Sequence, residues 1–311
     1  MKVLITGGAG FLGSNIADHL IAGKNHVVVV DNFATGSREN VTPGPNLTLV
    51  EGDIADEGLV NGLFDEFGPD HVIHAAAAYK DPENLSEDIN ANIEGTINIV
   101  RASLRQQVKR IIYLQTALCY GQPKEHPVTL SHPLSPFTSY SISKTAGENY
   151  IIMSSLPYVS LRLANIYGPR NLTGPLPTFY QRLKAGKPCF VVDTKRDFFE
   201  VGDFIRLIDR ILADQVTTGC FNVSTGSDRS IQEIFDLLVK AMGITLDTPV
   251  EVRPSDDDDV ATLLLDPSET ERAFGWKAET SLEEGIEHLV RWYDTHEVNE
   301  TFTHLKIGKK N

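Results

Sequence analysis

A glycine-rich turn near the start of the chain constrains its fold more than any other feature. The apolar run at residues 2–5 predicts a buried strand, and a helical pattern begins directly after the turn. Gly7, Gly10 and Gly13 lie three residues apart, and Gly8, Gly10 and Gly13 also satisfy the pattern G-x-G-x-x-G. A strand, a tight turn without side chains and a helix N-terminus bind a dinucleotide pyrophosphate, because unpaired N–H groups and the positive end of the helix dipole face the anion. The turn therefore predicts a dinucleotide site.

The residue that ends the next strand indicates which dinucleotide is bound. A second apolar strand, residues 26–31, ends in Asp31. An acid at this position accepts hydrogen bonds from the adenosine ribose diol and repels a 2′-phosphate. We therefore expect NAD as the cofactor, rather than NADP.

Apolar runs alternate with amphipathic segments through the first half of the chain. Strands are predicted at residues 2–6, 26–31, 47–51, 71–74, 109–115 and 158–164, and helices at residues 12–22, 57–67, 88–106 and 139–153. This alternation indicates an α/β fold with a Rossmann-type, doubly wound parallel sheet.

Glycines and prolines crowd the chain after Gly168 and mark a change in organisation. We predict an NAD-binding domain at residues 1–168 and a smaller α/β substrate domain at residues 169–311, with a segment near 197–224 returning to the first domain. The ligand cleft is expected at the carboxyl ends of the strands. Ser230 with Glu233 and Ser281 with Glu284 predict capped helices in the second part.

Composition narrows the range of partners and the cellular setting. The formal net charge of −14 disfavours binding to nucleic acid or to an anionic membrane. Cys119, Cys189 and Cys220 lack metal-like spacing and cannot all pair with one another, so a reducing cytoplasm is expected. No signal peptide is expected, because the first strand begins at Lys2. The acidic run at 256–259 is expected to be a solvated loop rather than a metal site, and the basic tail at 306–310 is expected to be a frayed terminus.

A second set of residues indicates proton transfer. Tyr140 and Lys144 lie four residues apart on a predicted helix, so both side chains project from one face. An ammonium beside the phenol, together with the positive nicotinamide, would lower the pKa of Tyr140 and let it remove a proton from a sugar or alcohol hydroxyl. Thr116, at the end of a central strand, could hydrogen-bond the reacting oxygen. The alternatives are an exposed helical pair and a strand-capping threonine.

These motifs follow one another in the order found in a known family. The glycine turn, Asp31, Asp53, Asn92, Thr116, the Tyr140/Lys144 pair and the stretch RLANIYGP at residues 162–169 resemble the extended short-chain dehydrogenases/reductases over nearly the whole chain. Within that family the chain is most similar to nucleotide-sugar epimerases of the UDP-galactose 4-epimerase type. The segments AAAAYKDP, QTALCYG and SYSISKTAGE resemble epimerases of bacterial surface-polysaccharide clusters.

The resemblance implies a site for each ligand. The residues expected at the cofactor are Gly7, Gly10, Phe11, Leu12, Gly13, Asp31, Asn32, Asp53, Ile54, Ala75, Ala76, Ala77, Asn92, Tyr140 and Lys144. Those expected at the nucleotide sugar are Thr116, Asn165, Arg196 and Leu263, and no metal is expected. Asn165 and Arg196 would hold the diphosphate, and Asn92 would help to place the active-site helix.

The chain departs from the family pattern at three positions. Lys80 lies one residue later than the lysine that contacts the cofactor in UDP-galactose 4-epimerase. Arg253 lies farther from Asp266 than the second diphosphate arginine is expected to lie. Leu263 replaces a bulky tyrosine of some epimerases, which suggests room for an N-acetyl or another larger substituent.

The resemblance implies NAD-dependent 4-epimerisation of a nucleotide diphosphate sugar, UDP-linked by preference, through a 4-keto intermediate. A 4,6-dehydratase would carry an Asp-Glu pair after the threonine, where this chain has Ala117 and Leu118. A dehydrogenase or reductase of the same family and a non-catalytic NAD-binding regulator remain alternatives.

Family members often form homodimers through a four-helix bundle, so a homodimer is expected here. Ile89, Ile93, Ile97, Val100 and Leu104 recur at helical spacing and predict a buried face. The chain's own sheet and a dimer partner explain that face equally well.

Overall fold

The structure is a computed structural model that describes residues 1–79, 84–214, 216–255, 260–296, 298 and 301. Its strands are β1 (Lys2–Thr6), β2 (His26–Asp31), β3 (Leu47–Glu51), β4 (His71–His74), β5 (Arg110–Thr116), β6 (Tyr158–Leu163), β7 (Asn165–Tyr167), β8 (Phe190–Val192), β9 (Lys195–Arg196), β10 (Phe198–Glu200), β11 (Gly219–Val223), β12 (Arg229–Ser230), β13 (Glu251–Arg253) and β14 (Thr262–Leu263). Its α-helices are α1 (Phe11–Ala22), α2 (Glu57–Phe67), α3 (Leu85–Asp88), α4 (Gly95–Arg105), α5 (Ser139–Met153), α6 (Pro175–Lys184), α7 (Val201–Ala213), α8 (Ile231–Ala241), α9 (Ser268–Phe274) and α10 (Leu282–Thr295).

One seven-stranded sheet organises the first half of the chain. Its strand order is β11-β6-β5-β4-β1-β2-β3, and every neighbouring pair is parallel. The order reverses between β1 and β4, so the loops after these strands open a crevice at the carboxyl edge of the sheet. The predicted α/β, Rossmann-type fold is confirmed.

Both faces of this sheet are covered, which explains its almost continuous apolar strands. One cluster packs Val3, Val29 and Ile112 against α1 and α7. The other packs Leu4 and Val72 against α2 and α4. Successive side chains of a strand point to opposite faces, so β1 contributes to both clusters.

A later segment of the chain returns to the sheet. β11 pairs with β6 along its whole length, and Phe199 and Phe204 lie in the same apolar cluster as Val3. The second part of the chain has its own cluster, in which α6, α8 and α10 meet around Phe179, Phe235 and Leu289. Three small sheets of two or three strands link this part to the crevice.

The apolar patterns and capping residues of the sequence predicted most of the strands and helices that carry the site. The predicted strands at 2–6, 26–31, 47–51 and 71–74 coincide with β1–β4, and the helix at 139–153 coincides with α5. Thr138 and Ser141 form a capping box that begins α5. Ser230 and Glu233 form the predicted box at α8, and Ser281 caps α10 through the backbone N–H of Glu284.

The helix predicted at 88–106 is irregular. It begins as α3, continues as a π-helix at Ile89–Glu94 and ends as α4. Its apolar face is not well buried by the chain's own sheet: Val100 is buried, but Ile89 is 53% exposed and Leu104 is 48% exposed. In the described part of the chain, no helix is both long and apolar enough to cross a membrane.

Candidate active site

The glycine turn forms one wall of the cleft from backbone alone. Gly7 has a φ of +64°, a left-handed conformation that favours glycine, and its N–H donates to Val30 O at 2.9 Å. A Cβ on Gly13 would lie 2.3 Å from Gly7 O, and one on Gly7 would lie 2.7 Å from Ala76. Gly10 precedes α1 without a side-chain cap, so the first amides of the helix face the cleft. This cradle fits a pyrophosphate, as the sequence predicts.

Asp31, at the end of the neighbouring strand β2, accepts a hydrogen bond from the backbone of the glycine turn. Its two carboxylate oxygens accept hydrogen bonds from Ala9 N at 2.9 Å and from Phe33 N at 2.8 Å. Burial raises the pKa of Asp31, and the two backbone hydrogen bonds oppose that rise. The carboxylate lines the cleft and has lone pairs left for ribose hydroxyls. Asp31 therefore fits an NAD ribose while it also stabilises the turn.

The remaining cofactor positions extend this wall in both directions. Asn32 donates to the Asp53 carboxylate at 3.1 Å, which joins the ends of two neighbouring loops. Ile54 is buried below them. The predicted positions that line the cleft on this side are Gly7, Gly10, Phe11, Leu12, Gly13, Asp31, Asn32, Asp53, Ile54, Ala75, Ala76 and Ala77.

Thr116 and Tyr140 line the same cleft, at the point where the cofactor wall meets the substrate side. Thr116 ends β5, and its Oγ1 accepts from Leu118 N at 3.2 Å. Because that contact uses the oxygen as an acceptor, the hydroxyl proton is available to a ligand. Lys144 lies one helical turn beyond Tyr140 but is only 1% exposed, and its Nζ lies 4.0 Å from the centre of the Tyr113 ring.

Burial dominates the electrostatics of Tyr140 and Lys144 in the protein alone. Loss of water around the phenol raises the pKa of Tyr140, and the nearby Tyr79 and Asp88 raise it further. Burial lowers the pKa of Lys144 to about 7, against an opposing effect of Glu148. Among the protein's own groups desolvation of the phenol dominates, so the predicted lowering of the Tyr140 pKa by Lys144 together with the nicotinamide stays a prediction for the NAD-bound enzyme.

Asn92 is buried behind the cleft and organises its back wall. Its side-chain oxygen accepts from Ala78 N at 3.0 Å, and its amide donates to Ala78 O at 3.1 Å and to Ser143 Oγ at 2.9 Å. Ser143 in turn donates to the backbone oxygen of Tyr140 at 3.0 Å. Asn92 thus joins the loop after β4 to the helix that bears Tyr140.

Asn165 and Arg196 line the opposite end of the cleft. Asn165 lies on β7, where its backbone and side-chain N–H groups both donate to Asp197 O. Arg196 is on β9, beside it. The Asp197 carboxylate is fully buried and accepts hydrogen bonds from Thr225 and Gly226, and burial raises its pKa to about 6. Buried contacts therefore fix the backbone of this end, while Arg196 lines the cleft and its Nη1 donates to Lys195 O at 2.8 Å and to Ala261 O at 3.4 Å.

Other expected positions lie elsewhere. Leu263 is 6% exposed and packs with Cys119 and Val128, outside the cleft wall, although its backbone pairs with Arg196. The Arg253 guanidinium is 3.7 Å from the centre of the Phe190 ring and pairs with Glu251. Lys80, the acidic run at 256–259 and the tail at 306–310 lie outside the described residues.

Sequence reasoning missed much of the substrate side of the cleft, including Thr173, Phe179, Arg182, Phe190 and Phe198 as well as Tyr79 and Leu118. Tyr79 and Leu118 both line it, and the Tyr79 ring lies edge-on to Tyr140 with 6.2 Å between ring centres. Tyr79 directly precedes Lys80, so the shifted lysine was the signal that another residue occupies the expected position.

The cleft is large enough for two ligands in contact. Its volume is about 850 Å³, near the upper end of the usual range for single small-molecule sites. It runs from Asp53, past Thr116 and Tyr140, to Arg196 and Phe190. Among the residues that the structure describes, no group of three or more His, Cys, Asp or Glu is arranged to hold a metal ion. The arrangement therefore suits proton transfer beside a dinucleotide.

Comparisons with known proteins agree with this geometry. The sequence profile of the NAD dependent epimerase/dehydratase family matches residues 3–224. A UDP-glucose 4-epimerase of Mycolicibacterium smegmatis is 30% identical over 312 residues, which cover 94% of this chain and 98% of the relative.

Solved structures match the chain over nearly its full length. The enzyme WbmG of Bordetella bronchiseptica, crystallised with NAD and UDP, is 50% identical with a TM-score of 0.93, and the match covers 98% of each chain. A UDP-glucose 4-epimerase of Thermotoga maritima, crystallised with UDP-glucose, is 30% identical with a TM-score of 0.88, and the match covers 95% of this chain and 99% of the other.

Proposed function

Because the chain belongs to the NAD dependent epimerase/dehydratase family, we propose that it inverts C4 of a nucleotide diphosphate sugar, with NAD as its cofactor and a UDP-sugar as the favoured substrate. The observation that carries this proposal is the meeting of Thr116 and Tyr140 with the glycine-turn wall in one cleft. The relatives named above bind NAD, UDP or UDP-glucose, or are UDP-glucose 4-epimerases.

Each residue of the cleft contributes one action. Tyr140 as a phenolate removes the proton of the sugar 4-hydroxyl, and Thr116 donates a hydrogen bond to the same oxygen as charge develops on it. The NAD⁺ held by the glycine turn and Asp31 would supply a reversible hydride acceptor beside C4, so that the 4-hydroxyl is oxidised to a keto group and the keto group is reduced again on its other face. Lys144, one helical turn beyond Tyr140 and buried, would hold the nicotinamide ribose of the bound cofactor. Because desolvation raises the pKa of Tyr140, we propose that the positive nicotinamide ring contributes to its ionisation.

The substrate end of the cleft holds the nucleotide while the sugar turns. Arg196 and Asn165 bind the diphosphate, so the keto sugar stays attached to the enzyme between the two hydride transfers. We propose that the sugar rotates in the part of the cleft between Tyr140 and Arg196. A sugar with an N-acetyl or another substituent is a candidate substrate, although the Leu263 side chain packs outside the cleft.

The residues after Thr116 argue against dehydration. Ala117 is 3% exposed and Leu118 lines the cleft with an apolar side chain. Neither can move a proton at C5 or C6, so an elimination lacks its acid and base.

Parallel assays with purified protein test the proposed reaction. UDP-glucose, UDP-N-acetylglucosamine and UDP-glucuronic acid are presented separately, and C4-inverted products are sought by proton NMR. We expect inversion of at least one sugar without a stoichiometric change in external NADH absorbance. Net NADH formation or consumption would instead identify a dehydrogenase or reductase.

We also propose that the protein acts as a homodimer in the cytoplasm. Apolar side chains stay exposed on the outer helices: Leu85 at 55%, Ile89 at 53%, Ile142 at 50% and Met153 at 72%. A partner's helices would cover this face. Cys119, Cys189 and Cys220 are free thiols, which suits a reducing compartment. Sedimentation of Ile89→Asp tests the dimer: the variant should sediment as a monomer, and a dimer as stable as wild type would refute this interface.

A further inference from the structure

A buried histidine stands beside the glycine turn and takes no part in the mechanism above. His74 ends β4, and its side chain is fully buried. Its Nδ1 lies 2.7 Å from Thr6 Oγ1, and its Nε2 lies 2.9 Å from Thr96 Oγ1. Thr6 directly precedes Gly7, whereas Thr96 follows the π-helix that contains Asn92. The imidazole therefore connects two elements on opposite sides of the strand end.

The neighbouring hydrogen bonds fix which ring nitrogen carries the proton. Thr96 donates its single hydroxyl proton to Asn92 O at 2.7 Å, so it accepts from His74, and Nε2 must bear hydrogen. In a neutral ring Nδ1 is then an acceptor, and Thr6 donates to it. Thr6 Oγ1 remains an acceptor for Ala76 N at 3.2 Å. The hydrogen bonds therefore run in one direction: Ala76 N donates to Thr6, Thr6 donates to His74, His74 donates to Thr96, and Thr96 donates to Asn92 O in the π-helix.

Both ends of this chain of hydrogen bonds reach the site. At one end, Ala76 packs so closely on Gly7 that a Cβ there would lie 2.7 Å from its backbone. At the other end, the Asn92 side chain donates to Ser143, which donates to the Tyr140 carbonyl. The helix around Asn92 is thus joined by hydrogen bonds to His74 on one side and to the start of α5 on the other.

The link is uncharged. Burial lowers the pKa of His74 to about 3, and the positive charge of Lys144 acts in the same direction. The Tyr113 ring, 5.4 Å away between ring centres, covers the imidazole. A neutral imidazole keeps one donor and one acceptor across the physiological pH range, so the connection does not change with pH.

We propose that His74 is a positioning residue that holds the glycine turn and Tyr140 in register, acting through Thr6, Thr96 and Asn92. This role rests on the proposed function, because it assumes that Tyr140 transfers a proton beside a cofactor held by the turn. Reacting groups must lie within about 3–3.5 Å, and a displacement of about 1 Å costs roughly 100-fold in rate. Loss of the link should therefore lower kcat much more than it weakens substrate binding.

The same strand offers a matched control. His71 begins β4 and is 5% exposed, but its Nδ1 is buried without a hydrogen-bond partner. We expect His74→Phe to lower kcat at least about tenfold, with KM for the nucleotide sugar changed less than about threefold. His71→Phe should keep kcat within about twofold of wild type. Equal losses in the two variants, or a wild-type kcat in folded His74→Phe, would overturn the proposal.

A second pair of variants remains informative even if His74→Phe fails to fold. Thr96→Val removes the hydroxyl that joins Nε2 to Asn92 O, whereas Thr96→Ser keeps it. We expect Thr96→Val to reproduce the loss of kcat and Thr96→Ser to restore it to within about threefold of wild type. If the serine variant is as slow as the valine variant, the hydroxyl link has no role in positioning.

A pH titration separates positioning from a general loss of stability. Tyr79, Asp88 and Tyr113 interact electrostatically with Tyr140, Lys144 lies one helical turn away, and all four are retained in every variant. If the link is lost, Tyr140 is no longer held beside the positive nicotinamide that favours its ionisation. We therefore expect the apparent pKa of Tyr140, followed by ¹³C NMR of the NAD-bound enzyme, to rise in Thr96→Val and to be unchanged in Thr96→Ser. An unmoved Tyr140 titration in Thr96→Val would contradict the proposed link.

Nitrogen NMR tests the link independently of any turnover. In the NAD-bound wild type, His74 should remain the neutral Nε2–H tautomer from pH 5 to pH 9. An Nδ1–H tautomer, or titration within that range, would overturn the proposal. If no nucleotide sugar is epimerised, the proposed function fails, and the tautomer and the Tyr140 titration still decide the role of His74.

Discussion

The two walls of the cleft are built in different ways. The cofactor wall is mainly backbone: Gly7 and Gly13 approach their neighbours so closely that a methyl group would collide, and long parallel strands hold the turn in place. The substrate wall depends on side chains such as Arg196, carried on strands of two or three residues. Close backbone approach leaves a glycine pattern in the sequence, whereas a side chain placed by a short strand leaves little pattern. The first wall could be predicted from local spacing and the second could not.

The largest expected effect is a loss of kcat without a loss of NAD binding, which would separate the role of Tyr140 from that of the cofactor wall. Tyr140→Phe removes one hydroxyl and leaves the glycine turn intact, so we expect kcat to fall by about 10²–10⁴-fold. NAD affinity, measured by fluorescence titration, should stay within about threefold of wild type. If epimerisation survives this change while NAD is bound, Tyr140 is not the base and the chain could be a non-catalytic NAD-binding protein.

The reverse experiment breaks the cofactor wall itself. Gly13→Ala places a methyl group 2.3 Å from Gly7 O, so the turn must open. We expect NAD affinity to fall at least about 100-fold. Gly62→Ala is the matched control, because a Cβ on this helical glycine meets nothing within 4 Å; it should leave NAD binding unchanged and stabilise α2 by roughly 0.5–1 kcal/mol. Normal NAD binding by Gly13→Ala would show that the turn is not the pyrophosphate site.

Removal of the Arg196 charge tests whether the substrate wall binds the diphosphate. Hydrogen bonds to charged groups contribute roughly 1.5–3 kcal/mol, so Arg196→Ala should raise KM for the nucleotide sugar about 10–100-fold and weaken UDP binding similarly. NAD affinity should be unaffected. Arg272→Ala, which removes an exposed arginine paired with Glu269, controls for the loss of positive charge. A KM within twofold of wild type for Arg196→Ala would remove this residue from the diphosphate site.

The effect that is smallest within any one pH unit, at most about 1.4 kcal/mol, concerns the burial of Lys144. Its pKa is about 7 in the folded protein, against about 10.4 for an exposed lysine. Between these values the unfolded state binds more protons, so the stability of wild type relative to Lys144→Met should rise with pH from 7 to 10. The slope should approach, at most, about 1.4 kcal/mol per pH unit. Urea unfolding at several pH values checks this, and parallel curves for the two proteins would mean that Lys144 titrates normally.

The difference between the two walls recurs in the rest of the fold, where regular buried elements could be predicted from the sequence and irregular ones could not. Alternating apolar runs placed β1 to β4 at their observed bounds, because buried parallel strands need continuous apolar stretches. The π-helix at Ile89–Glu94 was missed, since it coincides with the contacts of Asn92 to Ala78 and Ser143, which bring distant segments together. Leu263 was expected at the sugar, but its side chain packs beside Cys119, a direction that depends on how β14 pairs with β9.

The central claim is that a hydride leaves C4 and returns to the same carbon. A UDP-sugar that the enzyme accepts, labelled with deuterium at C4, tests this most directly. We predict that the C4-inverted product retains the deuterium at C4, with no net NADH formed. Loss of the label to solvent, or accumulation of deuterated NADH in proportion to product, would contradict the account.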